Sequence, residues 1–345
     1  MLGLVLLDLG YGWVKPMSKA EKVQLRNFRG LVESGHAVYE GRPHTSYGLI
    51  EGREDITNAL GFRGPEWERP RNPGAPRIAC LGASTTEGGN GEGLEGSYPH
   101  LLEEGLRVQT GLDFEVMNCG VSGWTTAESL VSWFLTLQDF RPDVVIVHHA
   151  VNDVMPRNSP GFTPDYRHWR GTWNEPHFGP FERTLIRFSD VYARYVVKNR
   201  APTLASMSTI RQPGELPFRE HGKLPAETAH AYRRNLIAIG QSVETLGATM
   251  CLMTMPTKPP ATPKAQAVFY YGIAEHNEIQ RQLAAERGWL LVDAAQQFPV
   301  YPGLKPDEVF LDLVHLTRAG NTAKAALAGA ELMRNWFPSW REQNP

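Results

Sequence analysis

Between Arg77 and Phe337 short apolar runs alternate with stretches whose apolar positions recur at helical spacing. Ile78 to Leu81, Phe114 to Asn118, Asp143 to Val147, Met250 to Met255 and Trp289 to Val292 have the length of strands. The helical stretches are equally regular. Tyr98, Leu101, Leu102 and Leu106 form one face, with Gly111 suited to its end. Ala127, Leu130, Val131, Phe134 and Leu135 recur at i, i+3, i+4, i+7 and i+8, the mark of a helix buried on one side. Tyr232, Leu236, Ile239, Val243 and Leu246 make a third face, closed by Gly247. A fourth helix over about Lys264 to Arg287 ends at Gly288, and a last one runs to about Phe337. Apolar strands alternating with helices predict a parallel sheet covered on both faces. The predicted fold is therefore α/β, a three-layer α/β/α sandwich with a five-stranded parallel sheet in flavodoxin-like order.

Two regions break the rhythm. Residues 15 to 76 are rich in Gly, Pro, Arg and Glu and show no sustained period, which predicts an irregular arm with short elements. Tyr47, Phe62 and Trp67 argue that this arm packs on the core, because disordered tails are poor in aromatics. Residues 155 to 226 interrupt the pattern with proline, glycine and the aromatics Trp169, Trp173, His177 and Phe178. Long interruptions of this kind are often lids or binding loops. Within it, Leu185 to Val197 predicts one helix, and the aromatics are read more readily as packing than as pocket lining. The organisation expected is an arm over residues 1–76 and a main domain over 77–345 with an insertion at about 155–226.

Charge narrows the partners. Thirty-five basic residues stand against 37 acidic ones, a net of -2, with no long run of either sign. Nucleic acid is not indicated as a partner. The three cysteines, Cys80, Cys119 and Cys251, each fall in an apolar stretch, which predicts buried free thiols and leaves the compartment open. The opening MLGLVLLDLGYGWV is apolar but shorter than the ~20 residues of a membrane-spanning helix. It lacks a basic start and a small-residue cleavage site, so it does not read as a signal peptide. Membrane association through a truncated anchor is one reading of it; oligomeric state is not legible.

The chemistry gathers at strand ends. Ser84 follows the first strand in a glycine-rich turn, RIACLGASTTEGGN. Asn118, Gly120, Ser122 and Gly123 follow the second, Asn152 and Asp153 the third, and Asp312 and His315 precede the last helix. In an open α/β sheet these loops meet at one edge. They supply a nucleophile, a base, an orienting carboxylate and neutral donors, an inventory for acyl transfer. Three residues apart in LDLVHLT, Asp312 can reach one imidazole nitrogen of His315 and leave the other for the Ser84 proton. The amides of Ser84 and Gly123 and the side chain of Asn152 are the candidate oxyanion donors. This chemistry calls for no cofactor and no metal.

At these four motifs the sequence resembles the SGNH (GDSL-like) hydrolases, in the family's order. Ser84 in LGASTTEG matches the family's nucleophilic serine, Gly123 in VMNCGVSGWT its glycine, Asn152 in HAVND its asparagine, and Asp312 and His315 in FLDLVHLTRAGN its acid and base. The resemblance implies the SGNH hydrolase fold, a triad of Ser84, Asp312 and His315, and an oxyanion hole of Ser84, Gly123 and Asn152. It covers about Arg77 to Phe337 apart from the insertion. The chain departs from the pattern twice. Ala83 stands where the family commonly has aspartate, and Ala150 where it commonly has glycine. Neither removes a role, and Ala150 implies backbone without positive φ.

Each residue also has a plainer reading. Ser84 alone would be a turn residue, and Asp312 a cap of the last helix. Thr85, Thr86 and Glu87 read as amino-terminal helix signals, and Asp153 as a brace for its loop. His148, His149, Asp153, Asp312 and His315 invite a metal reading, but adjacent strand residues point to opposite faces. The leading expectation is a serine esterase that hydrolyses short acyl or acetyl esters of small molecules, carbohydrates or lipids through an acyl-enzyme on Ser84. An acyltransferase acting on a glycan with the same triad and a catalytically silent ligand-binding module are the alternatives.

Overall fold

The computed structural model describes residues 46–50, 53–69, 74–88, 93–159, 161–170, 179–208, 224–258, 267–298 and 305–344, with 16–18, 22, 25 and 29 nearer the N-terminus. The N-terminal apolar stretch, Trp173, His177 and Phe178 lie outside the described residues, as does the side chain of Tyr47.

Five parallel strands form the centre: β3 (Arg77–Gly82), β4 (Glu115–Gly120), β5 (Val144–His148), β6 (Thr249–Met253) and β7 (Leu290–Val292), preceded in the chain by an antiparallel hairpin of β1 (Ser46–Ile50) and β2 (Arg53–Ile56). Their order across the sheet is β4-β3-β5-β6-β7, the flavodoxin-like order expected. In β3 all six residues are buried, and alternation divides them between two cores. Ile78 and Cys80 face one side with Leu102, Leu106, Ala328 and Leu332. Ala79 and Leu81 face the other with Trp133, Leu236, Ile239 and Leu283. The first side is covered by α2 (Tyr98–Thr110), α9 (Arg318–Asn335) and α10 (Phe337–Gln343). The second is covered by α3 (Thr126–Leu135), α7 (Ala229–Thr245) and α8 (Ala267–Arg287). These layers are the predicted α/β/α sandwich.

The order places a switch point at the carboxyl ends of β3 and β5. From β3 the chain goes outward to β4, then returns to pair β5 on the opposite side of β3, and such a reversal opens a crevice where α/β sheets bind ligands. Two helices head into it, α1 (Ser84–Glu87) after β3 and α4 (Val151–Asn158) after β5.

The arm packs as its aromatics suggest. Phe62 stacks on Trp67 at 5.3 Å and meets Trp124 edge-on at 6.1 Å, and Asn58 Oδ1 accepts from the amides of Leu60 and Phe62 to shape the turn. The single helix expected over Leu185 to Val197 is two, α5 (Pro180–Phe188) and α6 (Asp190–Ser208). Ser189 between them is extended, with φ -123° and ψ 115°, and its hydroxyl accepts from the Tyr192 amide. A serine favours this break because its hydroxyl replaces a lost backbone partner. The last helix likewise ends at Asn335, before α10.

Gly240 on α7 lies under the indole of Trp289, where a Cβ would stand 2.2 Å from the ring. Trp289 is pinned there by a 2.5 Å hydrogen bond from its Nε1 to Glu244. Gly240→Ala gains about 1 kcal/mol of helix propensity but overpacks the core at a cost of about 1–3 kcal/mol. Because the overlap is with a held ring, the loss dominates, and a thermal melt of the variant falls below that of the parent by several degrees.

Candidate active site

Ser84 opens α1 directly after β3, with Ala83 as the residue before the helix at φ -114° and ψ -148°. Four residues cannot sustain a helix by their own bonds, so neighbours hold this one. Its carbonyls are gripped three times: near the start by Lys324 Nζ on Thr85 O at 2.8 Å, and at the far end by Asn118 Nδ2 on Glu87 O at 3.3 Å and by Arg63 on Gly88 O at 3.1 Å. The flanking strands close in as well. A Cβ at Gly82 would meet Thr86 Oγ1 at 2.0 Å and one at Gly120 would meet the Glu87 amide at 2.3 Å, so glycine is required at both strand ends. The helix-signal reading of Thr85, Thr86 and Glu87 needs correction. No side chain caps α1, and Glu87 is buried, accepting from the Ser122 hydroxyl. Burial pushes the Glu87 carboxyl upward, against the Ser122 hydrogen bond and the nearby Arg63.

The structure brings Ser84, His315 and Asp312 into one chain of hydrogen bonds. Ser84 Oγ is 2.8 Å from His315 Nε2, and His315 Nδ1 is 2.6 Å from Asp312 Oδ2. A carboxylate only accepts, so the proton sits on Nδ1 and the Nε2 lone pair faces the serine hydroxyl. Asp312 Oδ1 also accepts the amides of Val314 and His315 at 2.9 and 2.8 Å. Partial burial pushes Asp312 upward, but the bonds from the His315 side chain and from these amides prevail and hold it at about 2, so it is a carboxylate at neutral pH. The loop is closed by an antiparallel bridge between Phe310 and Leu316 and by the Leu311 amide on His315 O at 2.8 Å. The cap of α9 is Thr317, not Asp312.

Gly123 and Asn152 come from the loops on either side. Gly123 turns at φ 80°, and the neighbouring Trp124 carbonyl accepts from Asn152 Nδ2 at 2.8 Å. That bond commits one of the two amide protons of Asn152 and ties the loop after β5 to the loop after β4. Ala150 has φ -163°, extended backbone that alanine adopts freely. Asp153 points away, accepting from the Thr126 amide and, at 2.6 Å, from its hydroxyl. His148 and His149 take opposite sides of the sheet, one on Met253 O and the other on Ser129. Among the described residues no three His, Cys, Asp or Glu side chains gather as metal ligands.

Sequence reading missed the polar ring around these loops. Arg157 is buried and donates to Thr228, Glu275 and His276 Nε2. His276 in turn holds Ala150 O through Nδ1 at 2.8 Å, and Tyr232 and Gln280 both donate to His149 O. The available signal was a charged or polar residue on an apolar helical face: Lys324 lies in register with Ala328 and Leu332, and His276 with Gln280 and Leu283.

A family model decides what this arrangement belongs to: that of the GDSL-like Lipase/Acylhydrolase family matches residues 80–323. The chain belongs to that family. It is accordingly a serine esterase, a carboxylic ester hydrolase that acts on ester substrates. No curated protein matches the GDSL-like chain in sequence. Among solved structures it is similar to an acetylxylan esterase from Geobacillus stearothermophilus, at 17% identity over 75% of this chain and 95% of that one, with TM-score 0.45. It is also similar to a lipase/acylhydrolase from Enterococcus faecalis, at 16% identity over 74% and 95%, with TM-score 0.44. No helix among the described residues is long and apolar enough to cross a membrane.

Asp153 yields a stability prediction. Burial raises its pKa to about 7 against the hydrogen bonds from Thr126. An unfolded aspartate has lost its proton above about pH 4, so between pH 4 and 7 the folded state binds more protons and stability falls as pH rises. Asp153→Asn removes that dependence. Relative to the parent, the variant gains a few kcal/mol from pH 4 to pH 8, at about 1.4 kcal/mol per unit, as urea melts at the two pH values read it. An equal difference at both would disprove the assignment.

Proposed function

We propose that Ser84 is the nucleophile of this esterase, His315 its general base and acid, and Asp312 the group that orients His315. The observation that carries the reading is the continuous chain of 2.8 and 2.6 Å contacts from Ser84 Oγ through the imidazole to Asp312. His315 Nε2 takes the serine proton as Oγ attacks the ester carbonyl, and returns it to the departing alkoxide. The acyl group stays on Ser84 until water, deprotonated by the same nitrogen, releases it as the acid. Charge that develops on the carbonyl oxygen is received by the Ser84 amide, the Gly123 amide and the second proton of the Asn152 side chain. The Ser84 amide suits this role because it begins α1, where a helix has no internal acceptor for it.

The setting supports esters of varied alcohols. The Asp312 side chain is 52% exposed and that of His315 23%, so among the described residues the base lies near the surface, open to a bulky alcohol. Beside it is an apolar wall, since Val151, next to Asn152, and Leu313, between Asp312 and His315, share one cluster with Val154, Ile273 and Val314. A small acyl group fits against such a wall. We read the substrates as short acyl or acetyl esters of small molecules, carbohydrates or lipids. In this reading the arm over residues 1–76 and the insertion at about 155–226 flank a domain over 77–345, supported by the Arg63 contact with Gly88 and by the Arg157 tie to Thr228.

Two variants test the roles separately on p-nitrophenyl acetate. Ser84→Ala lowers kcat by at least about 10³-fold; a variant that keeps its activity would refute the nucleophile. Asn152→Ala lowers kcat by about 10²-fold with KM little changed, as expected for a donor that acts in the transition state. A rise in KM at constant kcat would instead make Asn152 a substrate-binding group.

A further inference from the structure

The inward side of α9 carries Gly320, Asn321, Lys324, Ala325, Ala328 and Leu332, and the lysine among them is 1% exposed. Its ammonium lies 4.4 Å from the centre of the Tyr98 ring. The titratable groups that face it are Tyr98 from α2, Cys80 from β3 and His148 from β5. Burial pushes the Cys80 thiol up to about 12, Tyr98 upward and His148 downward, so all three are neutral near pH 7. Among the described residues no carboxylate is in ion-pair contact with Lys324, and burial brings its amine down to about 7.

A lysine in such a place is costly, because a buried amine without a counter-charge loses its hydration uncompensated. A methionine would fill similar space. What the amine provides, among the described residues, is a hydrogen bond of 2.8 Å to Thr85 O, the carbonyl of the residue that follows Ser84. The other two grips on α1, at Glu87 O and Gly88 O, hold its far end. Lys324 alone among them holds the turn at the serine.

We propose that Lys324 is a positioning residue for Ser84, clamping the Thr85 carbonyl from beneath and so fixing the turn that aims Ser84 Oγ at His315. The proposal rests on Ser84 as the nucleophile. It acts through geometry: a displacement of about 1 Å at a reacting group costs on the order of 10²-fold in rate, and a four-residue helix has no internal strength to resist one.

The test compares the parent with K324M. Both are labelled with a fluorophosphonate, the label is located by peptide mapping, and kcat and KM for p-nitrophenyl acetate are measured alongside thermal melting. The expected result is a label on Ser84 in the parent, labelling and kcat both lowered about tenfold or more in K324M, KM little changed, and a melting temperature no lower than the parent's. A label elsewhere in the parent defeats the reading of Ser84 itself. A label on Ser84 with K324M reacting at the parental rate, or losing activity only in proportion to its folded fraction, overturns the role of Lys324 alone. If K324M does not fold, K324Q is read against the same outcomes.

Discussion

Three side chains, from α9, β4 and the arm, donate to the carbonyls of Thr85, Glu87 and Gly88, and through them the rest of the molecule sets where Ser84 stands. The helix they hold is four residues long, below the length at which its own hydrogen bonds could define it. Its placement is therefore a property of the tertiary structure. Gly82 and Gly120 permit the approach, since a side chain on either would enter the space of Thr86 or of the Glu87 backbone. The sheet order matters for the same reason: β3 is flanked by β4 and β5, so the loops of both neighbours reach the serine turn from opposite sides.

The third loop is held in a comparable way with different chemistry. Arg157, His276, Tyr232 and Gln280 converge on the carbonyls of His149 and Ala150, just ahead of Asn152. A buried polar network of this kind demands a partner for every polar atom, and among the described residues Gln280 Oε1 lacks one. Arg157 meets that demand with Glu275, Thr228 and His276 together. His276 must then be neutral, because its Nε2 accepts from the guanidinium, and burial followed by the charge of Arg157 holds its pKa well below the ordinary value. The loop after β5 is thus fixed by groups that are themselves buried.

The sandwich was legible because its evidence is periodic. Alternating apolar runs and helical faces specify strands, helices and their covering layers with little dependence on distant contacts, and β3 through β7 lie within a few residues of the predicted runs. That Ser84, Asp312 and His315 would meet was legible from their chemical types and their places at strand ends. Lys324 and Glu87 were not, because burial of a charged side chain depends on what packs over it, which is absent from local pattern. The same holds for the break at Ser189. The helical periodicity continues across it through Ile186, Ala193 and Val196, while the extended backbone of Ser189 and its hydroxyl bond to Tyr192 mark where the helix breaks.

The loop from Phe310 to Leu316 is closed on itself by the Phe310–Leu316 bridge, the Leu311 amide on His315 O and the His315 amide on Asp312. Asp312 and His315 therefore keep their mutual geometry through bonds no more than a few residues long. The contact with Ser84 spans 231 residues. In the language of contact order, one half of this hydrogen-bond chain is almost entirely local and the other almost entirely non-local. The loop has its partners within a few residues, while Ser84, far earlier in the chain, meets His315 only when α9 is docked against the sheet. The Ser84–His315 contact is thus one that only closure of the whole sandwich can form.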